Sequence, residues 1–73
     1  MYGGDFIRIW LRKIRKEESK TQKDLAEMLN LDTTTINKYE LGERRPRIEN
    51  AKRISEVLKF KKYDIDWTKF YEK

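Results

Sequence analysis

The stretch Thr21–Pro46, "TQKDLAEMLNLDTTTINKYELGERRP", decides how the chain is read. Within it three threonines precede an isoleucine, Thr33–Ile36, and β-branched residues are weak helix formers that ordinarily suggest a strand. The punctuation around the run argues for helices instead. Thr21 and Asp24 form a short capping box that starts a helix with Leu25, Ala26 and Leu29 on one face. Asn30 interrupts that helix, and asparagine is the non-glycine residue best suited to left-handed backbone. Asp32 is placed to cap a second helix, with Ile36 and Tyr39 three apart on one side. Gly42 ends it, and an arginine-rich turn holding Pro46 follows.

Outward from this stretch the helical spacing continues. Met1–Gly4 carries two glycines and reads as a loose start, and Asp5 reads as the N-cap of a first helix. Ile7, Trp10, Leu11 and Ile14 follow the i, i+3, i+4, i+7 pattern of a buried face, with Arg8, Arg12, Lys13, Arg15 and Lys16 on the remainder. On the C-terminal side Ile48, Ala51, Ile54 and Leu58 mark the buried face of a fourth helix. Residues 60–64 read as a basic-aromatic connection. Asp64 or Asp66 then caps a last short helix bearing Trp67, Phe70 and Tyr71. No strand alternation and no repeat occurs. The expectation is one all-α domain over residues 1–73, built of five short helices, with residues 60–73 an aromatic tail available for a dimer contact.

Composition narrows the chemistry. The 73 residues are 37% hydrophobic and 42% charged, which leaves room for one lean core. There is no cysteine, so disulfide and thiolate chemistry are excluded, and no histidine, the commonest general base and metal ligand. A zinc site would have only carboxylates to use, and no metal or cofactor is expected. Apolar runs are too short to span a membrane or to form a signal peptide, so the expected location is the cytoplasm. The net charge of +5 favours polyanionic partners. Residues 21–40 are nevertheless acidic, with two basic and four acidic side chains, while residues 1–20 carry six and three.

Two helices of about eight residues are not stable alone, so the pair must pack on itself and on its neighbours. A small residue early (Ala26), a turn residue four later (Asn30), then an aliphatic and an aromatic anchor (Ile36, Tyr39) form a helix-turn-helix signature over residues 22–40. At this point the sequence resembles the Cro/cI-type (XRE-like) helix-turn-helix regulators of bacteria and phages. The resemblance runs from Leu11 through Leu58, some 48 of 73 residues. It rests on Gln22 opening the second helix, on Leu25-Ala26 and Ile36, and on the Glu-x-Gly-x-Arg-x-Pro pattern of Glu40, Gly42, Arg44 and Pro46. The family often has glycine and an apolar residue where Ser19 and Lys20 stand, glycine at Asn30, and a polar residue at Leu41. The resemblance implies a compact five-helix bundle of the phage-repressor DNA-binding-domain type with a central helix-turn-helix.

It also implies which residues would meet DNA. In the family the second helix of the motif lies in the major groove with its N-terminal residues on base edges. At about 100° per residue, with Ile36 at the origin, Thr34 falls near 160° and Lys38 near 200°, away from the core. Asn37 is on the shoulder and Thr33 on the first turn. Thr33, Thr34, Asn37 and Lys38 are therefore the expected base-contacting residues: hydroxyl and methyl for thymine or a polar edge, an amide for bidentate adenine, an ammonium for guanine. Gln22 resembles the family's glutamine that contacts backbone phosphate. Lys23 and the basic corner of Arg44, Arg45 and Arg47 are the other phosphate or minor-groove candidates, and Lys13, Lys16 and Lys20 read as solvated. Glu40 is expected in a structural ion pair or hydrogen bond near that corner.

These features favour a sequence-specific double-stranded DNA-binding regulator, a Cro-like or immunity repressor acting as a homodimer on a palindromic operator. The alternative is an antitoxin or coactivator-like module that uses the same fold to bind another protein. An enzyme is disfavoured: the carboxylate pairs Glu17-Glu18 and Asp64/Asp66 lie at helix ends, where capping and dipole effects account for them.

Overall fold

The computed structural model describes residues 7–72, and within them every regular element is helical. Four α-helices, α1 (Ile9–Glu17), α2 (Gln22–Leu29), α3 (Thr33–Leu41) and α4 (Ile48–Val57), are followed by two single turns of 3₁₀ helix, Phe60–Tyr63 and Trp67–Tyr71. The five-helix expectation is thus corrected to four α-helices and two 3₁₀ turns. The expected Asp5 cap and the loose start lie outside the described residues. Helix α1 begins at Ile9, so Ile7 precedes it and is exposed rather than part of its buried face.

The junctions follow from local chemistry. Thr21 Oγ1 accepts from the Asp24 N–H at 2.9 Å, and Asp24 Oδ2 accepts from the Thr21 N–H at 2.9 Å, so the capping box closes in both directions. Asn30 takes left-handed backbone at φ 59° and Gly42 at φ 76°, ending α2 and α3. Ser19 also lies at φ 60°, in the position where the resembling family often carries glycine. Its backbone N–H donates to the Lys16 carbonyl at 2.9 Å, satisfying one of the orphan carbonyls that end α1.

Helix α2 packs on α3 and α4, α1 packs on α3, and α4 packs on both 3₁₀ turns. The core is Leu11, Ile14, Leu25, Ala26, Leu29, Ile36, Tyr39, Ala51, Ile54, Leu58, Phe60 and Phe70. Two further expectations about it fail. Ile48 is 54% exposed: it occupies the first turn of α4, where the Cα–Cβ bond tilts back off the end of the helix. Phe60, read as part of a connection, is buried, because Lys59 turns left-handed at φ 56° and swings the chain back under the core. There it meets Trp10 edge-on, with ring centroids 5.8 Å apart, and Phe70 at 6.0 Å, while Trp10 and Phe70 lie 5.2 Å apart. Each such pair adds about 0.5–1.5 kcal/mol beyond area burial.

The tail is also tied by polar contacts. Of the two candidate caps it is Asp66 that accepts from the Thr68 N–H, at 2.9 Å, while Asp64 takes left-handed backbone. Tyr63 Oη and Lys62 Nζ both donate to Glu18 Oε2, at 2.7 and 2.8 Å. Donation to that carboxylate pushes the Tyr63 hydroxyl up to about 12.

Candidate nucleic-acid interface

The threonine run is the first turn of α3 and adopts helical backbone despite its weak propensity. Packing supplies what propensity lacks: Ile36, Tyr39 and Glu40 are buried and anchor the helix through its second half. Thr33 and Thr34 are left exposed, while Thr35, Asn37 and Lys38 are half-buried. Asp32 occupies the cap position, but contrary to expectation its side chain makes no capping bond. Its carbonyl accepts from the Thr35 and Ile36 N–H groups at 3.0 and 3.3 Å. The N–H groups of Thr33 and Thr34 therefore have no intrahelical acceptor.

Glu40 organises the other side of the site. It is 1% exposed and faces Arg15, itself 6% exposed, which donates from Nε to Oε2 at 2.5 Å and from Nη2 to Oε1 at 3.2 Å. Arg12 Nε adds a longer contact to Oε1, at 3.4 Å. Burial alone would raise the Glu40 carboxyl, but bonds from Arg15, Gln22 and Arg12, with the Arg15 charge, outweigh it and hold the group below its ordinary value. The expected ion pair of Glu40 therefore exists, with its partners on α1 rather than in the arginine corner. Arg15, placed by spacing on the remainder of α1 outside the buried face, is a buried partner. Its position four residues after Leu11, beside the apolar stripe, was the available signal.

Gln22 joins this group from the start of α2. Its Nε2 donates to Glu40 Oε1 at 3.0 Å and to Asn37 Oδ1 at 3.1 Å. Both amide hydrogens are thus used within the protein, so an anion at this end of α2 would meet the backbone N–H groups of Gln22 and Lys23 instead. Lys23 is exposed on the same turn.

The arginine corner is ordered from below. Glu43 and Arg44 N–H groups both donate to the Lys38 carbonyl, at 3.0 and 3.3 Å, which ties the corner to the end of α3. Pro46 is buried and its carbonyl accepts from Tyr71 Oη. Arg45 stacks over the Tyr71 ring at 5.7 Å from its centroid. Arg44, Arg45 and Arg47 are all exposed. Arg8, which spacing placed outside the buried face, donates to the carbonyls of Tyr39 (2.6 Å), Arg44 (3.0 Å) and Phe70 (3.3 Å). No sequence signal marked Arg8, because its three acceptors are backbone atoms from distant segments.

The first turn of α3, the start of α2 at Gln22 and the corner of three exposed arginines are the polar features that could meet a polyanion. Among the described residues no group of carboxylates is disposed to hold a metal ion, and no helix is long and apolar enough to cross a membrane.

The family model described as helix-turn-helix matches residues 11–65. The chain belongs to the XRE-like helix-turn-helix family. It is the family whose resemblance the sequence carries in Gln22, Leu25-Ala26, Ile36 and the Glu40–Pro46 pattern. The chain is also similar to the "Uncharacterized HTH-type transcriptional regulator YqaF" of Bacillus subtilis (strain 168). The two are 35% identical over 66 residues, covering 90% of this chain and 80% of the relative. No solved structure matches it significantly. The family match ends at residue 65, so Phe70, which packs on Trp10, and Tyr71, over which Arg45 lies, fall beyond it, as does Trp67.

Proposed function

We propose that this protein is a sequence-specific double-stranded DNA-binding transcriptional regulator, of the Cro-like or immunity-repressor kind, that inserts α3 into the major groove. The observation that carries the reading is the division of α3. Ile36, Tyr39 and Glu40 bury one face, and the exposed Thr33–Thr34 turn with Asn37 and Lys38 is left facing outward beside the arginine corner. Helix N-termini and arginines position a protein on phosphates, while short polar side chains reach base edges. Thr33, Thr34, Asn37 and Lys38 are the proposed base readers. Lys23, Arg44, Arg45, Arg47 and the N-terminal turn beginning at Gln22 are the proposed backbone contacts.

One copy offers one recognition helix on a body whose Cα trace measures 31 × 27 × 22 Å. Two half-sites about 34 Å apart therefore call for two copies, and a homodimer on a palindromic operator is the assembly that fits. The experiment is selection of bound duplexes from random DNA. Enrichment of a palindrome with half-sites one helical turn apart is the expected result, and retention of duplexes without any enriched sequence would overturn the reading.

A second reading, an antitoxin or coactivator-like module, draws on the groove between α4 and the 3₁₀ turns, where Phe60, Ile65 and Trp67 are flanked by Lys52, Lys59 and Lys62. A stoichiometric protein partner that co-purifies with the chain and abolishes palindrome selection would favour it.

A further inference from the structure

Asn37 was expected to read adenine through both ends of its amide, donating to N7 and accepting from N6. The polar contacts around it leave only one end for that task. Glu40, ionised between Arg15 and Arg12, can only accept hydrogen bonds, so the Gln22 amide must turn its NH₂ toward Glu40 Oε1. The same NH₂ lies 3.1 Å from the Asn37 side chain. Two donors cannot face each other, so Asn37 must present Oδ1 inward and Nδ2 outward. We propose that Gln22 is a positioning residue that sets the polarity of Asn37, so that Asn37 offers only N–H donors to the DNA groove and selects an acceptor edge, guanine or thymine, over cytosine and over bidentate adenine.

The proposal rests on the DNA-binding reading and names the specificity of one of its contacts. The polarity is relayed over residues far apart in sequence, from the Arg15–Glu40 pair through Gln22 to Asn37, and ends half-buried at the edge of the exposed face of α3. Guanine presents O6 and N7 and thymine presents O4, all acceptors, whereas cytosine presents only the N4 donor. A donor-only amide therefore gains a bond at the first two and meets an opposing donor at cytosine.

The test is selection from random duplexes by the wild-type chain and by the Gln22→Met, Asn37→Asp and Asn37→Ala variants. Melting is followed to confirm that each variant is folded. In the wild type one position of the half-site should favour guanine or thymine over cytosine by about tenfold. Gln22→Met frees both ends of the Asn37 amide, and adenine should rise at that position alone. Asn37→Asp keeps Gln22 and its bond to Glu40 but turns an acceptor outward, and cytosine should replace guanine or thymine there. Asn37→Ala should level the position. If the wild type selects no sequence, the DNA-binding reading itself fails. A wild type that selects a palindrome whose every position survives Gln22→Met and Asn37→Asp unchanged would overturn the role of Gln22 and Asn37 alone. Should Gln22→Met fail to fold, the Asn37→Asp result decides by itself.

Discussion

Helices α2 and α3 begin in opposite ways. Helix α2 is closed by its own sequence: Thr21 and Asp24 satisfy each other's N–H groups, and the Asp24 carboxyl is held below its ordinary value chiefly by the bond from the Thr21 backbone N–H. Helix α3 begins at Asp32, whose side chain caps nothing, and continues through three residues of weak helix propensity. One start is stable locally; the other is held from the far end, by Ile36, Tyr39 and the Glu40–Arg15 pair. The difference suits their positions. Each start leaves two helix N–H groups without an acceptor, those of Gln22 and Lys23 on α2 and those of Thr33 and Thr34 on α3, but only α3 adds a run of threonine hydroxyls to them.

If α3 is held from its second half, Glu40→Ala is the change that should cost most. It strands the buried Arg15 charge and removes an acceptor of Gln22, so urea unfolding should show a loss of about 3–5 kcal/mol. A value below about 1 kcal/mol would mean that α3 stands without this anchor. The same carboxyl gives a pH test. Its folded-state value is depressed, so its contribution is complete above the ordinary glutamate range and declines as pH falls through the lowered folded value. Stability of the wild type should fall on acidification, and the Glu40→Ala chain should show a shallower fall.

Lys38→Ala should cost about 1–3 kcal/mol of DNA affinity at one base position and little elsewhere, measured by titration against single-base operator variants. A uniform loss across all variants would move Lys38 to the phosphate contacts. Thr21→Ala removes half of the reciprocal cap and should lower unfolding free energy by about 1 kcal/mol. Arg45→Ala should weaken operator and random duplex alike and reduce the salt slope of binding by about one. Smallest of all, Asp32→Ala should change stability by less than about 0.5 kcal/mol, since no capping bond is lost. A loss as large as that of Thr21→Ala would erase the contrast between the two helix starts.

Much of the motif could be read from residue order because its determinants are local. The Thr21–Asp24 box spans one turn, Asn30 and Gly42 sit where left-handed backbone ends a helix, and the Leu25–Leu29 and Ile36–Tyr39 spacings name the buried faces. Reading was weaker where an element ends. Ile48 has the spacing of a core residue and the exposure of a helix terminus, and Phe60 looks like a linker until left-handed Lys59 returns it to the core. Basic residues were the hardest. Arg8, Arg12 and Arg15 look alike in a polar stripe, yet Arg8 binds three carbonyls, Arg15 is buried, and Arg12 is the outer member of the Glu40 group.

By itself the sequence determined the helical class, the short helices α2 and α3 and the exposed threonine turn that opens α3, because periodicity and capping act over three or four residues. Tertiary structure alone decided which arginine neutralises Glu40, that the tail forms 3₁₀ turns packed on Trp10, and which way the Asn37 amide points. Those outcomes depend on side chains that are 15 or more residues apart and meet only after the helices pack. Hydrogen-bond polarity is then passed from a buried ion pair to the surface one partner at a time.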